Sequence, residues 1–194
     1  MTKEKTKKEQ IRTLVLSAVF AAIVFVLQLL GAFIRFGPFA ISLVLVPIVI
    51  GTALCGVKTG AFLGLVFSVA VLISGDATAF MQISVFGTVV TVLLKGMLAG
   101  LAAGLVYKAL EKFNRYFAVI AAAIVCPLVN TGVFVLGCFT FFYKALGEWA
   151  PSGQGTVAYI FLVLVGGNFL FEILSNLILS PVILRVLNIE KKNM

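Results

Sequence analysis

Near the C-terminus, Asn168, Glu172 and Asn176 recur at four-residue steps inside an otherwise apolar stretch. On a helix that spacing stacks them along one stripe. Lys95 interrupts a second apolar stretch and Asn130-Thr131 a third. Amides, a carboxylate, a hydroxyl and an ammonium can hold a polar solute by hydrogen bonds and charge. They do not make a reaction centre. The chain has no histidine, no clustered carboxylates and no nucleophile set beside a base, so acid–base and nucleophilic catalysis lack their usual parts. The cysteines, Cys55, Cys126 and Cys138, are scattered with no CxxC pair; they read as small buried hydrophobes, not as metal ligands or catalytic thiols. No catalytic or metal-ligating residue is expected.

The elements that carry these residues follow from composition. Of 194 residues, 62% are hydrophobic and 11% charged, against about 25% charged in a soluble domain. This composition defines an integral membrane protein. Hydropathy divides it into six apolar segments, approximately 13–33, 40–55, 58–74, 82–107, 116–142 and 157–187. The expected fold is therefore all-α, a polytopic bundle of six transmembrane helices in a single membrane domain over 1–194. The second and third segments, joined at Cys55-Gly56-Val57-Lys58, should form a tight hairpin, with Pro47 kinking the second helix. The basic N-terminus precedes a long apolar run without a small-residue cleavage site, so it reads as a retained first helix.

Charge placement sets the expected orientation. With both termini cytoplasmic, twelve of the 15 basic residues lie inside and only Arg35 and Lys144 outside, a positive-inside pattern. The net charge of +8 is then explained by topology and by anionic lipid headgroups of the bilayer, and no nucleic-acid partner is implied. Outer loops fall near Gly31 to Phe39, at Ser74-Gly75-Asp76, and from Tyr143 to Thr156. Their aromatics read either as interfacial anchors or as a lid over a ligand.

On this topology Lys95, Asn130-Thr131 and Glu172 all lie roughly 18–22 Å from the outer ends of their helices. A carboxylate at such depth costs at least about 2.5–3.5 kcal/mol on insertion scales. Lys95 and Glu172 are most simply held there as a mutual ion pair. Two readings stay open: the polar groups lock the last three helices together, or they line a cavity that Asn168, one turn further out, leads toward the outside. A wholly anionic ligand would meet Glu172 and need Lys95 or Arg35 to compensate. Glycines recur at every fourth position at Gly60 and Gly64, and again at Gly96, Gly100 and Gly104, as small residues do at Ala18 and Ala22. This spacing lets helices approach closely, and on the first helix it can dock a partner's helix.

Taken together, the basic N-terminus with Ala18-x-x-x-Ala22, Phe36-Gly37-Pro38 leading to Val46-Pro47-Ile48-Val49-Ile50-Gly51, Gly60-Ala61-Phe62-Leu63-Gly64, Val129-Asn130-Thr131 and Asn168 resemble the substrate-binding S components of energy-coupling factor (ECF) transporters, of the riboflavin, pantothenate and folate type. The resemblance implies the S-component fold and capture of a water-soluble vitamin or related micronutrient at the plasma membrane of a prokaryote. It also implies a transmembrane coupling protein and two cytoplasmic ABC-type ATPases as partners, with Ala18 and Ala22 contacting the coupling protein. No cofactor would be bound by this chain, and ATP would be used on the partner subunits. The pocket would be built from the last three helices, with substrate-binding candidates Asn168, Glu172, Asn130, Thr131 and Lys95 and a lid carrying Arg35 and Phe36; the whole S component would tilt to carry its ligand inward. The competing expectation is a stand-alone proton- or ion-coupled carrier titrating Glu172, although no inverted repeat is evident between the halves.

Overall fold

The computed structural model describes residues 2–33, 35–36, 39–40 and 43–192, with side chains for 7–31 and 43–189. Helix α1 (Thr2–Phe33) is followed by two short antiparallel strands, β1 (Arg35–Phe36) and β2 (Phe39–Ala40). Next come α2 (Leu45–Cys55), α3 (Val57–Ser74), the short α4 (Thr78–Ile83), α5 (Val85–Leu110) and α6 (Arg115–Gly137). A π-helical turn (Cys138–Phe142) carries α6 directly into α7 (Tyr143–Trp149); α8 (Thr156–Tyr159) passes through a second π-helical turn (Ile160–Val165) into α9 (Gly166–Lys192). Among the described residues five spans are long and apolar enough to cross a bilayer, with α2 as a shorter apolar helix beside them. This is a polytopic membrane bundle.

Several elements differ from the hydropathy segments for local reasons. The second helix begins at Leu45, which puts Pro47 in its first turn, where a missing N–H breaks no helical bond and no kink is needed. Ser84 caps α5, its Oγ accepting from Gly87 N at 3.1 Å, so the apolar run from 82 is divided between α4 and α5. The stretch from Tyr143, expected as loop, is helical to Trp149 because the π turn absorbs an extra residue without ending the helix.

Helix α5 is held by backbone contact on one side. A Cβ built on Gly60 of α3 would lie 2.5 Å from the Gly100 carbonyl oxygen. Cβ atoms on Gly64, Gly96 and Gly100 would press still harder on the carbonyl of the facing glycine. The pairs Gly60/Gly100 and Gly64/Gly96 run in opposite senses, so the two helices are antiparallel and nearly touch. Ser68 Oγ continues the seam, donating to Val92 O at 2.7 Å and to Gly64 O at 3.0 Å. Gly137 of α6 lies equally close to Thr91 on α5. At the end of the bundle where α1 begins and α9 finishes, the terminal end, Arg115 donates to Leu187 O at 3.0 Å and ties α6 to α9. At the opposite end, the α4 end, Phe80 joins an aromatic cluster with Phe134, Phe142 and Trp149.

Gly64→Leu should therefore destabilise the bundle by more than the roughly 1–3 kcal/mol usual for overpacking, because the obstacle is backbone. Gly132→Ala, where an added Cβ meets nothing within 4 Å, should be neutral or slightly stabilising. Thermal unfolding in detergent separates the two; equal melting temperatures would show that the seam does not matter.

Candidate functional site

A cavity of about 250 Å3 lies between α1, α3, α5, α6 and α9. The seam positions its wall: with Gly96 pressed on α3, the stripe Thr88, Thr91 and Lys95 on α5 turns toward α6 and α9. From α6 come Asn130, Thr131 and Phe134, and from α9 Asn168 and Glu172. Gln28, Asp76 and Phe80 border it at the α4 end, while Lys95, Asn130 and Glu172 lie deepest along their helices. Phe142, Leu164 and Val165 reach the cavity from the two π-helical turns, whose altered winding re-aims these side chains.

The five deep residues expected from sequence thus converge, but Lys95 and Glu172 do not form the expected ion pair. Lys95 Nζ sits over the rings of Phe134 and Phe67, 5.5 and 5.6 Å from their centroids, while Glu172 Oε2 accepts a long hydrogen bond of 3.5 Å from Asn130 Nδ2. Equal depth put the two charges at one level; the turn of each helix left a cavity between them. Asn176 is buried away from this cavity, and its Oδ1 has no partner among the described residues.

Three more polar atoms are shut off from solvent without a hydrogen-bond partner among the described residues: Thr91 Oγ1, Asn130 Oδ1 and Asn168 Oδ1. All three belong to residues of the cavity wall. Each such orphan costs about 1–3 kcal/mol, and native structures tolerate few of them without a reason. Residues with unpaired acceptors, an ammonium and a carboxylate around one small space suit a polar ligand that carries its own donors and a negative group. The volume falls just below the roughly 300–1,000 Å3 common for ligand sites, so the ligand is small.

Three wall residues at or near the α4 end escaped the sequence reading. Gln28 is 6% exposed and donates to Asp76 Oδ2 at 2.6 Å, linking α1 to the turn after α3. Asp76 read as a loop charge, and Thr88, whose hydroxyl donates to Ser84 O at 2.8 Å, was not singled out. The lone polar side chain of Gln28, late in an apolar span, was the available signal. The side chains of Arg35 and Phe36, and the turn at Gly37-Pro38, lie outside the described residues. Ala18 and Ala22 are exposed on α1, whereas Val24 and Gln28 on the same helix face inward.

Known proteins agree with this architecture. The family model of the substrate-specific component of ECF transporters matches residues 12–187. The chain is 29% identical over 205 aligned residues, 96% of its own length and 99% of the relative's, to the pantothenic acid transporter PanT of Lactococcus lactis subsp. cremoris (strain MG1363). No solved structure matches it significantly. The chain belongs to the family of ECF transporter substrate-specific components. It is accordingly a transport component and not an enzyme, and membership does not favour the lone proton- or ion-coupled carrier.

Because Thr91 Oγ1 is an orphan, Thr91→Val should leave the ligand-free protein as stable as before or slightly more so. Ser68→Ala, which removes a donor to two carbonyls, should cost about 1 kcal/mol. Melting curves of both variants without ligand check this; a large loss of stability for Thr91→Val would mean that its hydroxyl is paired.

Proposed function

We propose that this chain captures pantothenate, or a close relative with a carboxylate, an amide and hydroxyls, as the substrate-specific subunit of an ATP-driven vitamin importer in a bacterial plasma membrane. The observation that carries the proposal is one cavity whose wall holds Lys95 together with Thr91, Asn130 and Asn168, each of the last three with an acceptor that has no partner among the described residues. The relative's name points to the same ligand. In this reading the ligand carboxylate goes to Lys95, displacing two weak cation–π contacts with a charge-assisted bond. Ligand hydroxyls and the amide N–H donate to Thr91, Asn130 and Asn168, and a hydroxyl to Glu172, which turns the like charge of that carboxylate into an acceptor. Arg35 and Phe36 would close the α4 end.

The charge distribution supports a cytoplasmic terminal end, so that the cavity faces outward at the α4 end. On this reading a transmembrane coupling protein meets the α1 face at Ala18 and Ala22, where small exposed residues form a notch among Val15, Val19 and Ile23. Two cytoplasmic ATPases would supply the energy, and the chain itself would need no cofactor.

In detergent, pantothenate should raise the melting temperature of the purified protein in a concentration-dependent way. Lys95→Met and Asn168→Ala should each weaken binding, the former by about tenfold to a hundredfold, as befits a lost charge-assisted bond. A panel of water-soluble vitamins that gives no stabilisation at all would sink the proposal. Ala18→Trp or Ala22→Trp should leave pantothenate binding unchanged and stop uptake into liposomes holding the coupling protein, the ATPases and ATP; uptake at the wild-type rate would remove the docking role of that face.

A further inference from the structure

A second concavity lies at the terminal end, on the outer surface between the start of α6 and the last turns of α9. Its volume is about 600 Å3. The wall changes character with depth. Ile120, Pro181 and Ser180, whose hydroxyl is satisfied by donating to Leu177 O at 2.8 Å, line the part deeper in the bundle, whereas Tyr116, Arg185, Asn188 and Ile189 line the part near the helix ends. From Ser180 to Ile189 the groove follows α9 for about 14 Å at 1.5 Å per residue. Pro181 lies inside α9 and carries no N–H, so α9 lacks one backbone bond beside this groove. Arg115 closes the rim by donating to Leu187 O and, at 3.4 Å, to Asn188 Oδ1. Arg185 is different: it is exposed, and among the described residues it finds no hydrogen-bond or ion-pair partner.

We propose that this groove holds one anionic phospholipid, with an acyl chain along Ile120 and Pro181 and the phosphate on Arg185. The order of the wall matches such a molecule, apolar toward the bilayer centre and cationic at headgroup level. Charge complementarity selects the anionic class, because a single basic side chain near the membrane surface contributes about 1 kcal/mol toward anionic lipid. A zwitterionic lipid brings its own cation to the headgroup and gains less from Arg185. The groove lies at the opposite end from the vitamin cavity and shares no wall residue with it. The inference therefore stands apart from the transport reading.

The test uses the full chain in nanodiscs with identical leaflets, so its outcome does not depend on orientation. After transfer to detergent, lipids retained per protein are counted by native mass spectrometry, comparing phosphatidylglycerol with phosphatidylcholine of the same acyl chains. The wild type should retain one phosphatidylglycerol with about fivefold preference, the factor equivalent to roughly 1 kcal/mol. Arg185→Gln should bring the preference close to unity. Ile120→Trp, which fills the groove, should lower retention of both lipids. Pantothenate binding by the variants reports that they are folded; if it is absent even in the wild type, unchanged melting temperatures serve instead. Equal retention of the two lipids by the wild type, a preference untouched in Arg185→Gln, or a dimer in place of bound lipid would overturn the proposal.

Discussion

The near-contact of two backbones, Gly60 and Gly64 on α3 against Gly100 and Gly96 on α5, governs where every other polar group can be. In a bilayer no hydrophobic force drives one apolar helix onto another, so close packing and hydrogen bonds must hold the helices together. Glycine removes the side chains that would keep the axes apart, and Ser68 adds a hydrogen bond across the same seam. With that face of α5 fixed, its next face is fixed too. Lys95 is adjacent to Gly96, about 100° around the helix, and so turns away from α3's backbone toward the space shared with α6 and α9.

The cavity holds Lys95 and Glu172 in the membrane without letting them touch. A closed ion pair would offset more of their desolvation, yet a ligand would then have to break it, and leaving a buried charge unpaired costs about 3–5 kcal/mol. Lys95 instead rests over two aromatic rings, contacts worth about 0.5–2 kcal/mol. Glu172 holds only a long hydrogen bond from Asn130. Both groups are thus held weakly, and three acceptors on residues of the same cavity wall have no partner among the described residues. On the proposed reading, a ligand that pairs with these groups would relieve a cost that the empty site carries.

The sequence reading recovered this arrangement unevenly, for reasons tied to geometry. Four-residue spacing identified the Asn168 and Glu172 stripe, but the same periodicity ran on to Asn176, beyond the cavity, because a period says nothing about where a neighbouring helix ends. Depth along each helix put Lys95 and Glu172 at one level. Their separation depends on helix rotation and interaxial distance, of which the glycine seam fixes only how α5 is turned. Phe67 and Phe134 could not be singled out among 18 phenylalanines, since any ring in an apolar span reads as packing. Thr91 was hidden because a helical threonine is normally satisfied by its own backbone. The π-helical turns that bring Phe142 and Val165 to the wall leave no mark in composition at all.

Helix α1 shows how one element serves two surroundings. Val24 is fully buried and Gln28 nearly so, the latter bonded to Asp76 at the cavity border, while Ser17 meets Thr59 of α3 at 3.2 Å. Positions 17, 24 and 28 follow heptad and four-residue spacing, and Phe20, Ala21 and Leu27 flank them against the core, so one face of the helix supplies these inward contacts. The rest of the helix surface is left to lipid, and Ile11, Leu14, Val15, Val19, Ile23, Val26 and Leu30 are accordingly exposed and apolar. In lipid such exposure is not a liability, because the surrounding tails are as apolar as the side chains. What distinguishes Ala18 and Ala22 is therefore size and not polarity. Lipid gains nothing from a small residue over a large one, whereas an approaching helix gains closeness, so small residues on the lipid-facing side of α1 fit the docking role proposed for them.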